Sequence, residues 1–346
     1  MSEPATEEGV RAAFGHQRDY CAAHDAPITG AVAGALAKML DRSTEVGRRV
    51  LDWPGQPIAD ALPLRLVGGL HALARRGDGE LRCAFELGTD GVDAIIAQAL
   101  ARHDTVLLPW LDGPPQTNEP GRSAGLMAGL LAVAARYPLP FDLLEIGSSA
   151  GLNLLIDRYA YDLGGLRVGP EDAPVTIRPD WRGLPPPAAR IDFARVRGCD
   201  IAPVDVRGPA QAERLLAYVW ADHAERFARV EAAIDMIRAK PVDLVAADAA
   251  DWVEARLAEP PLPGTTRVLM HSIVWQYLGE ARQSRIEAAL ARAGAAATAE
   301  TPLAWVRIEA DRRVTHHDLS VTTWPGGETC HLARTHAHGF WVEWLG

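Results

Sequence analysis

Lysine is nearly absent from this 346-residue chain: Lys38 and Lys240 are the only two, so almost every positive charge is an arginine. Acids outnumber bases and the formal charge is −10, which argues against a nucleic-acid backbone or an anionic membrane as the main partner. The cysteines are few and scattered, at Cys21, Cys83, Cys199 and Cys330, with no CxxC pair. That speaks against a disulfide framework and suits reduced thiols in a reducing cytosol. The opening MSEPATEEGV has neither a basic stretch nor an apolar one, so it does not read as a signal peptide. No apolar run reaches the length of a membrane span. The expectation is a soluble cytoplasmic protein acting on a small molecule, with no nucleic acid and no membrane among its partners. At 48% hydrophobic, the chain can bury one large domain or two ordinary ones.

Patterning changes along the chain. Residues 1 to about 12 read as a polar tail. From Ala13 to about Leu111, segments such as AVAGALAKML and VDAIIAQALARH repeat apolar residues at three and four spacing, which predicts helices. Residues 1–125 are therefore expected to form a helical N-terminal domain or cap. Its last part, Gln116 to Ser123, is a dense polar cluster leading into the helix SAGLMAGLLAVAAR, which Ser123 either caps or starts. From 126 to 346, strand and helix signals alternate, as a mostly parallel α/β sheet requires. Strands are expected at about Phe141–Ile146, in a run ending at Asp200, and at Val242–Asp248, Arg267–Val274 and Leu303–Glu309. Helices are expected over Ala210–Ala239, Ala249–Leu257 and Arg282–Arg292, and an antiparallel hairpin closes the chain beyond Leu319. A Gly- and Pro-rich insertion at about 161–190 reads as a hairpin or lid.

The stretch FDLLEIGSSAGLN, Phe141 to Asn153, is the junction to which this pattern points. An apolar run ends in Gly147 and Gly151, and helical spacing follows, so the segment reads as strand, tight turn and helix. Such junctions hold ligands in open α/β sheets. Glu145 at the strand tip favours a ligand offering hydroxyls or an ammonium over one led by phosphate. No Gly-Lys-Ser/Thr follows to make a phosphate loop.

Leu143 to Gly151 resembles the first motif of class I S-adenosylmethionine-dependent methyltransferases, an acid followed by spaced glycines, with Ser149 where that pattern has its middle glycine. The string from Pro115 to Asn153, with GCDIAPVDV, LVAADAADW and HSIVWQYL, also resembles the DUF2332 family of uncharacterised bacterial proteins. The first resemblance implies a Rossmann-like, mostly parallel seven-stranded sheet closed by a C-terminal antiparallel hairpin, with S-adenosylmethionine as cofactor. It implies that Glu145, Gly147, Ser149 and Gly151 hold the methionine end, that Asp200 takes the ribose and that Asp248 takes the adenine amino group. Asp200 lies further from the glycines than such acids usually do, so the insertion must loop out. Asp162 is a nearer candidate, and strand-end caps are the alternative reading of Asp200 and Asp248.

Other readings stand beside this one. GSSAG also fits G-x-S-x-G, the nucleophile elbow of serine hydrolases, with Ser149 as nucleophile, Asp248 or Asp318 as acid and His336 or His338 as base. A methyltransferase-like fold kept as a non-catalytic binding module is a third. His271, where the fourth strand ends, is placed either to deprotonate a methyl acceptor or to bond backbone in the core. Gln276 and Tyr277 are candidates for substrate contact, as are Asn118, Glu119 and Arg122, whose guanidinium suits a carboxylate. His316, His317, Cys330, His331, His336 and His338 crowd the C-terminal end without an established zinc spacing, so no metal is expected.

Overall fold

The computed structural model describes residues 5–87, 91–310 and 316–346. In chain order the first helices are α1 (Glu7–Ala23), α2 (Pro27–Met39), α3 (Glu45–Leu51), α4 (Leu62–Arg75), α5 (Gly79–Leu87), α6 (Val92–Arg102) and α7 (Asp104–Leu107). Then come α8 (Ser123–Arg136), α9 (Pro209–Ala217), α10 (Ala224–Ala239), α11 (Ala249–Ala258) and α12 (Trp275–Ala295). The strands are β1 (Phe141–Ile146), β2 (Ala160–Leu163), β3 (Leu166–Val168), β4 (Thr176–Ile177), β5 (Asp180–Arg182) and β6 (Phe193–Asp200). They continue with β7 (Asp243–Ala246), β8 (Thr266–Ser272), β9 (Leu303–Ala310), β10 (His317–Trp324), β11 (Glu328–Thr335) and β12 (Trp341–Trp344).

The chain forms two compact units. One runs to Thr117 and includes Gly208–Ala228; the other holds Asn118–Arg207 and Arg229–Gly346. The first is helical, built around apolar stripes such as Val32, Leu36, Leu66 and Leu70. Its first helix begins at Glu7, inside the stretch expected to be a polar tail. Thr6 caps it by accepting from the Gly9 N–H, and Val10 and Phe14 are buried. Residues 1–4 of that tail lie outside the described residues. The helical stretch expected from Ala210 to Ala239 is two helices, parted at Tyr218–His223.

The second unit is a mixed α/β body around a large sheet, in the order β5-β12-β11-β10-β9-β8-β1-β6-β7. From β9 through β8, β1 and β6 to β7 the pairings are parallel, and β9 to β12 form an antiparallel meander. The sheet therefore has nine strands, not seven. The two extra strands, β12 and β5, are four and three residues long and pair with each other at the edge, too short to leave a periodic signal. The insertion supplies β5 and also a small sheet in the order β3-β2-β4, with β2 and β3 joined as a hairpin through Gly164 and Gly165. The helix expected after Gly151 is only a 3-10 turn, Leu152–Leu155, before the chain enters β2. Its apolar residues are buried on all sides rather than along one face, so their spacing reflects core filling. On the other side of the sheet order, α12 starts at Trp275 rather than Arg282 and kinks at Gly279, which sits at φ 72°.

Candidate functional site

Every residue of β1 is buried, because parallel partners β6 and β8 flank it and the sheet is covered on both faces. The chain leaves β1 towards β6 and β7, then crosses back to β8 and β9 on its other side. A crevice opens at such a switch point, outside the carboxyl ends of the strands. Two glycines shape the turn there. Gly147 has φ 67°, and a Cβ on it would overlap the Val274 side chain; Gly151 has φ 79° and packs against Val242. Between them Ser149 has φ 52°, and across from them, beyond β8, the β-branched Ile273 has φ 53°. Left-handed backbone at non-glycine residues costs energy and clusters where geometry serves a ligand.

Hydrogen bonds tie this turn down. The Ser149 N–H donates to Asp200 Oδ2 at 2.8 Å, while Asp200 Oδ1 accepts from the Ala202 N–H at 2.9 Å. The Ser148 N–H donates to the Cys199 carbonyl at 3.1 Å, and the Leu152 N–H to Asn118 Oδ1 at 2.7 Å. Asp248 caps α11, accepting from the Ala250 N–H at 2.9 Å and the Asp251 N–H at 3.3 Å, and its Oδ2 is held by the Arg282 guanidinium. Burial pushes the Asp248 carboxyl up, but Arg282 and the two backbone donors outweigh it and hold the group below its usual range.

Around these groups lies a cleft of about 210 Å³, lined by Gly147, Asp200, Ile201, Asp248, Tyr277 and Arg282, with Val274 and Leu278 behind. Gly147, Asp200 and Asp248, three of the six residues that the resemblance assigns to the cofactor, line this cleft together with Tyr277, a candidate for substrate contact. Ile201 and Arg282 were missed. Ile201, an apolar residue just past a strand-end acid, is 73% exposed, and Tyr277 is 75% exposed.

The remaining candidates sit elsewhere. Glu145 does not line the cleft; its side chain is enclosed, and Oε2 has no hydrogen-bond partner. Burial pushes its carboxyl up to about 8, against the pull of the Ser148 hydroxyl and with Asp200 adding to the push, so it is largely neutral at pH 7. Among the described residues the buried Ser149 hydroxyl has no hydrogen-bond partner. Glu119 accepts from the Gly121 N–H at 2.8 Å and from Arg229 Nη2 at 2.9 Å, and Arg122 Nε donates to the Ala337 carbonyl at 2.8 Å. With Asn118, these residues brace the loop before α8. Gln276 is exposed on the first turn of α12, outside the cleft lining.

His271 is fully buried. Trp305 Nε1 donates to its Nε2 at 2.9 Å, so the ring hydrogen sits on Nδ1, which faces Glu309 Oε1 at 2.6 Å. Trp275 stacks on the ring at 5.3 Å. Both ring nitrogens are engaged, and the group acts as a fixed post beneath the β8 tip. Two of the C-terminal histidines are bonded locally: His331 Nδ1 to Ser320 Oγ at 3.0 Å, and His336 Nδ1 accepting from the His338 N–H at 3.1 Å. Among the described residues no group of three or more His, Cys, Asp or Glu is arranged to hold a metal ion, and no helix is long and apolar enough to cross a membrane.

A family model described as "Uncharacterized protein conserved in bacteria (DUF2332)" matches residues 11–344. The chain belongs to the DUF2332 family. Comparison with curated proteins and with solved structures gives no match. The DUF2332 match runs through both units, so the glycine turn, Asp200, Asp248 and α12 all fall within it.

Proposed function

We propose that the second unit is Rossmann-like, binds S-adenosylmethionine in the cleft at the carboxyl ends of β1, β6, β7 and β8, and directs its methyl group to a small-molecule acceptor. One observation carries this reading: a cleft at the switch point, floored by a glycine and walled by the acids that end the next two strands. Asp200 uses one acceptor site of each oxygen on backbone, which leaves lone pairs on both for a pair of hydroxyls. Ile201 and Tyr277 offer apolar faces at the rim to a planar heterocycle. At Asp248 a ligand amino group competes with Arg282 for Oδ2. The cleft is smaller than the roughly 300–1,000 Å³ usual for small-molecule sites, so it suits the adenosine half, with the rest lying along the glycine turn. When bound, the cofactor supplies an electrophilic methyl on a sulfonium. The chain's task is then alignment and exclusion of water, which needs no general base. His271 serves as a positioning residue in this reading, holding the β8 tip that presents Val274 to the cleft.

Calorimetric titration with S-adenosylhomocysteine tests the site. Micromolar binding is expected for the wild-type chain, weakened about tenfold or more by Ile201→Arg, a change at an exposed position that puts bulk and charge on the rim. Folded wild-type protein that binds nothing overturns the proposal. Binding without turnover of any acceptor would instead favour a non-catalytic module. A serine hydrolase reading draws on one observation, Ser149 at φ 52° on a sharp turn after a strand. Against it, no base reaches the buried Ser149 hydroxyl and no full helix follows the turn. Labelling of Ser149 by a fluorophosphonate would reverse that judgement.

A further inference from the structure

Alternation along β9 sends Val306 and Ile308 to one face of the sheet, where they meet α8 at Gly129 and Gly125, and sends Trp305 and Arg307 to the other. On that second face, α12 and the β9–β11 strands enclose a groove of about 570 Å³ that shares no lining residue with the first cleft. This volume lies within the usual range for a small-molecule site. The Arg307 guanidinium lies in it, stacked on the Trp305 ring at 3.9 Å. Its one hydrogen bond is long, from Nη1 to Thr322 Oγ1 at 3.4 Å, and among the described residues no carboxylate forms an ion pair with it. Glu309 on the same strand is occupied by His271 and the Val274 N–H.

A guanidinium taken partly out of water without a counter-ion is costly to the fold, and an arriving anion repays that cost. Burial lowers the Arg307 pKa, a sign of the same uncompensated desolvation, with Glu287 and Glu309 acting at longer range in the opposite sense. Further donors and surfaces are at hand. Thr322 and Thr329 share a hydrogen bond at 2.8 Å, which leaves one hydroxyl hydrogen for a ligand. Trp324 lies against Gly294, where a Cβ would come within 2.5 Å of the indole, so the helix leaves room for the ring.

We propose that this groove binds a small organic monocarboxylate with an apolar body, its carboxylate on Arg307 and its body against Trp324. The planar fork of an arginine held flat on an indole matches the two oxygens of a carboxylate. Trp324, partly exposed, supplies apolar surface that inorganic phosphate would not use, and Glu287 on the rim disfavours a dianion.

The test is calorimetric titration of the full chain with phenylacetate, beside inorganic phosphate. Saturable phenylacetate binding, weakened about tenfold or more both by Arg307→Met and by Thr329→Glu, is the expected result. Thr329 is exposed, so its variant keeps the test open if Arg307→Met does not fold. S-adenosylhomocysteine binding, where present, should be unchanged by Thr329→Glu, which separates this groove from the first cleft. No saturable heat with folded wild-type protein, phosphate binding as tightly as phenylacetate, or binding unaltered in the folded variants would each overturn the proposal.

Discussion

Asp142 and Glu145 lie on the same six-residue strand, three positions apart, and both are buried, yet their situations are opposite. Asp142, near the amino end, is gripped by Arg195 through Nε at 3.0 Å and Nη2 at 2.8 Å, and by Arg197 Nη2 at 3.2 Å. Arg267 Nε stands at 3.5 Å, and its terminal nitrogens donate to the carbonyls of Arg256, Glu259 and Pro260. Glu145, at the carboxyl end, meets no ion-pair partner among the described residues and keeps its proton. One end of the parallel strands pairs its buried carboxylate with arginines. The other leaves a buried acid without an ion-pair partner among the described residues and backbone strained, around a cleft. Such a division separates what holds the sheet together from what the sheet can offer a ligand.

Breaking the ion-paired end should have a large effect that is already present at neutral pH. Asp142→Ala leaves three guanidiniums facing one another with their shared carboxylate gone. Removing one partner of a buried ionic group typically costs about 3–5 kcal/mol. Arg195 is partly exposed, its side chain at 38%, so the lower end of that range is expected. The change reads as a lower urea midpoint, and an unchanged midpoint would show the network to be idle.

At the other end the sign depends on pH. An acid whose folded pKa is raised from its ordinary 4.5 to about 8 holds a proton that the unfolded chain has lost between those values. Glu145 therefore contributes stability that is fully present below pH 4.5 and is lost as pH rises towards 8, by up to about 1.4 kcal/mol per pH unit. Unfolding free energies measured across this window should fall for the wild-type chain relative to Glu145→Gln, which has no proton to lose. Parallel curves for the two proteins would mean that Glu145 is not held neutral.

Sequence alone could not tell these two acids apart, since each interrupts the same apolar run. Their partners come from other strands, Arg195 and Arg197 from β6 and Arg267 from β8, and register across a sheet is not written in local spacing. The parallel strands themselves were legible, because each of β1, β6 and β7 is followed or closed by a glycine or an acid, Gly147, Asp200 and Asp248, that marks where it stops. The helix after Gly151 was not: leucines that fill a core on all sides imitate helical periodicity. Of the residues that line the cleft, Gly147, Asp200, Asp248 and Tyr277 were already candidates in the sequence. Ile201 and Arg282 were hidden because lining a cleft depends on where a strand tip and a kinked helix meet in space.

The smallest expected effect is also the most discriminating, because it should run against the usual direction of mutation. Ser149 carries two local costs, a left-handed φ of 52° and a buried hydroxyl with no hydrogen-bond partner among the described residues. Ser149→Gly removes both and keeps the backbone N–H that donates to Asp200. Glycine gives back part of the gain through the greater freedom of the unfolded chain, so a net stabilisation of about 1 kcal/mol or less is expected. A thermal midpoint that rises in Ser149→Gly, with S-adenosylhomocysteine binding retained, would mark the turn as strained for its shape rather than for its hydroxyl. A loss of more than about 1 kcal/mol in unfolding free energy would mean that the hydroxyl has a partner that matters, and would return Ser149 to the list of reactive groups.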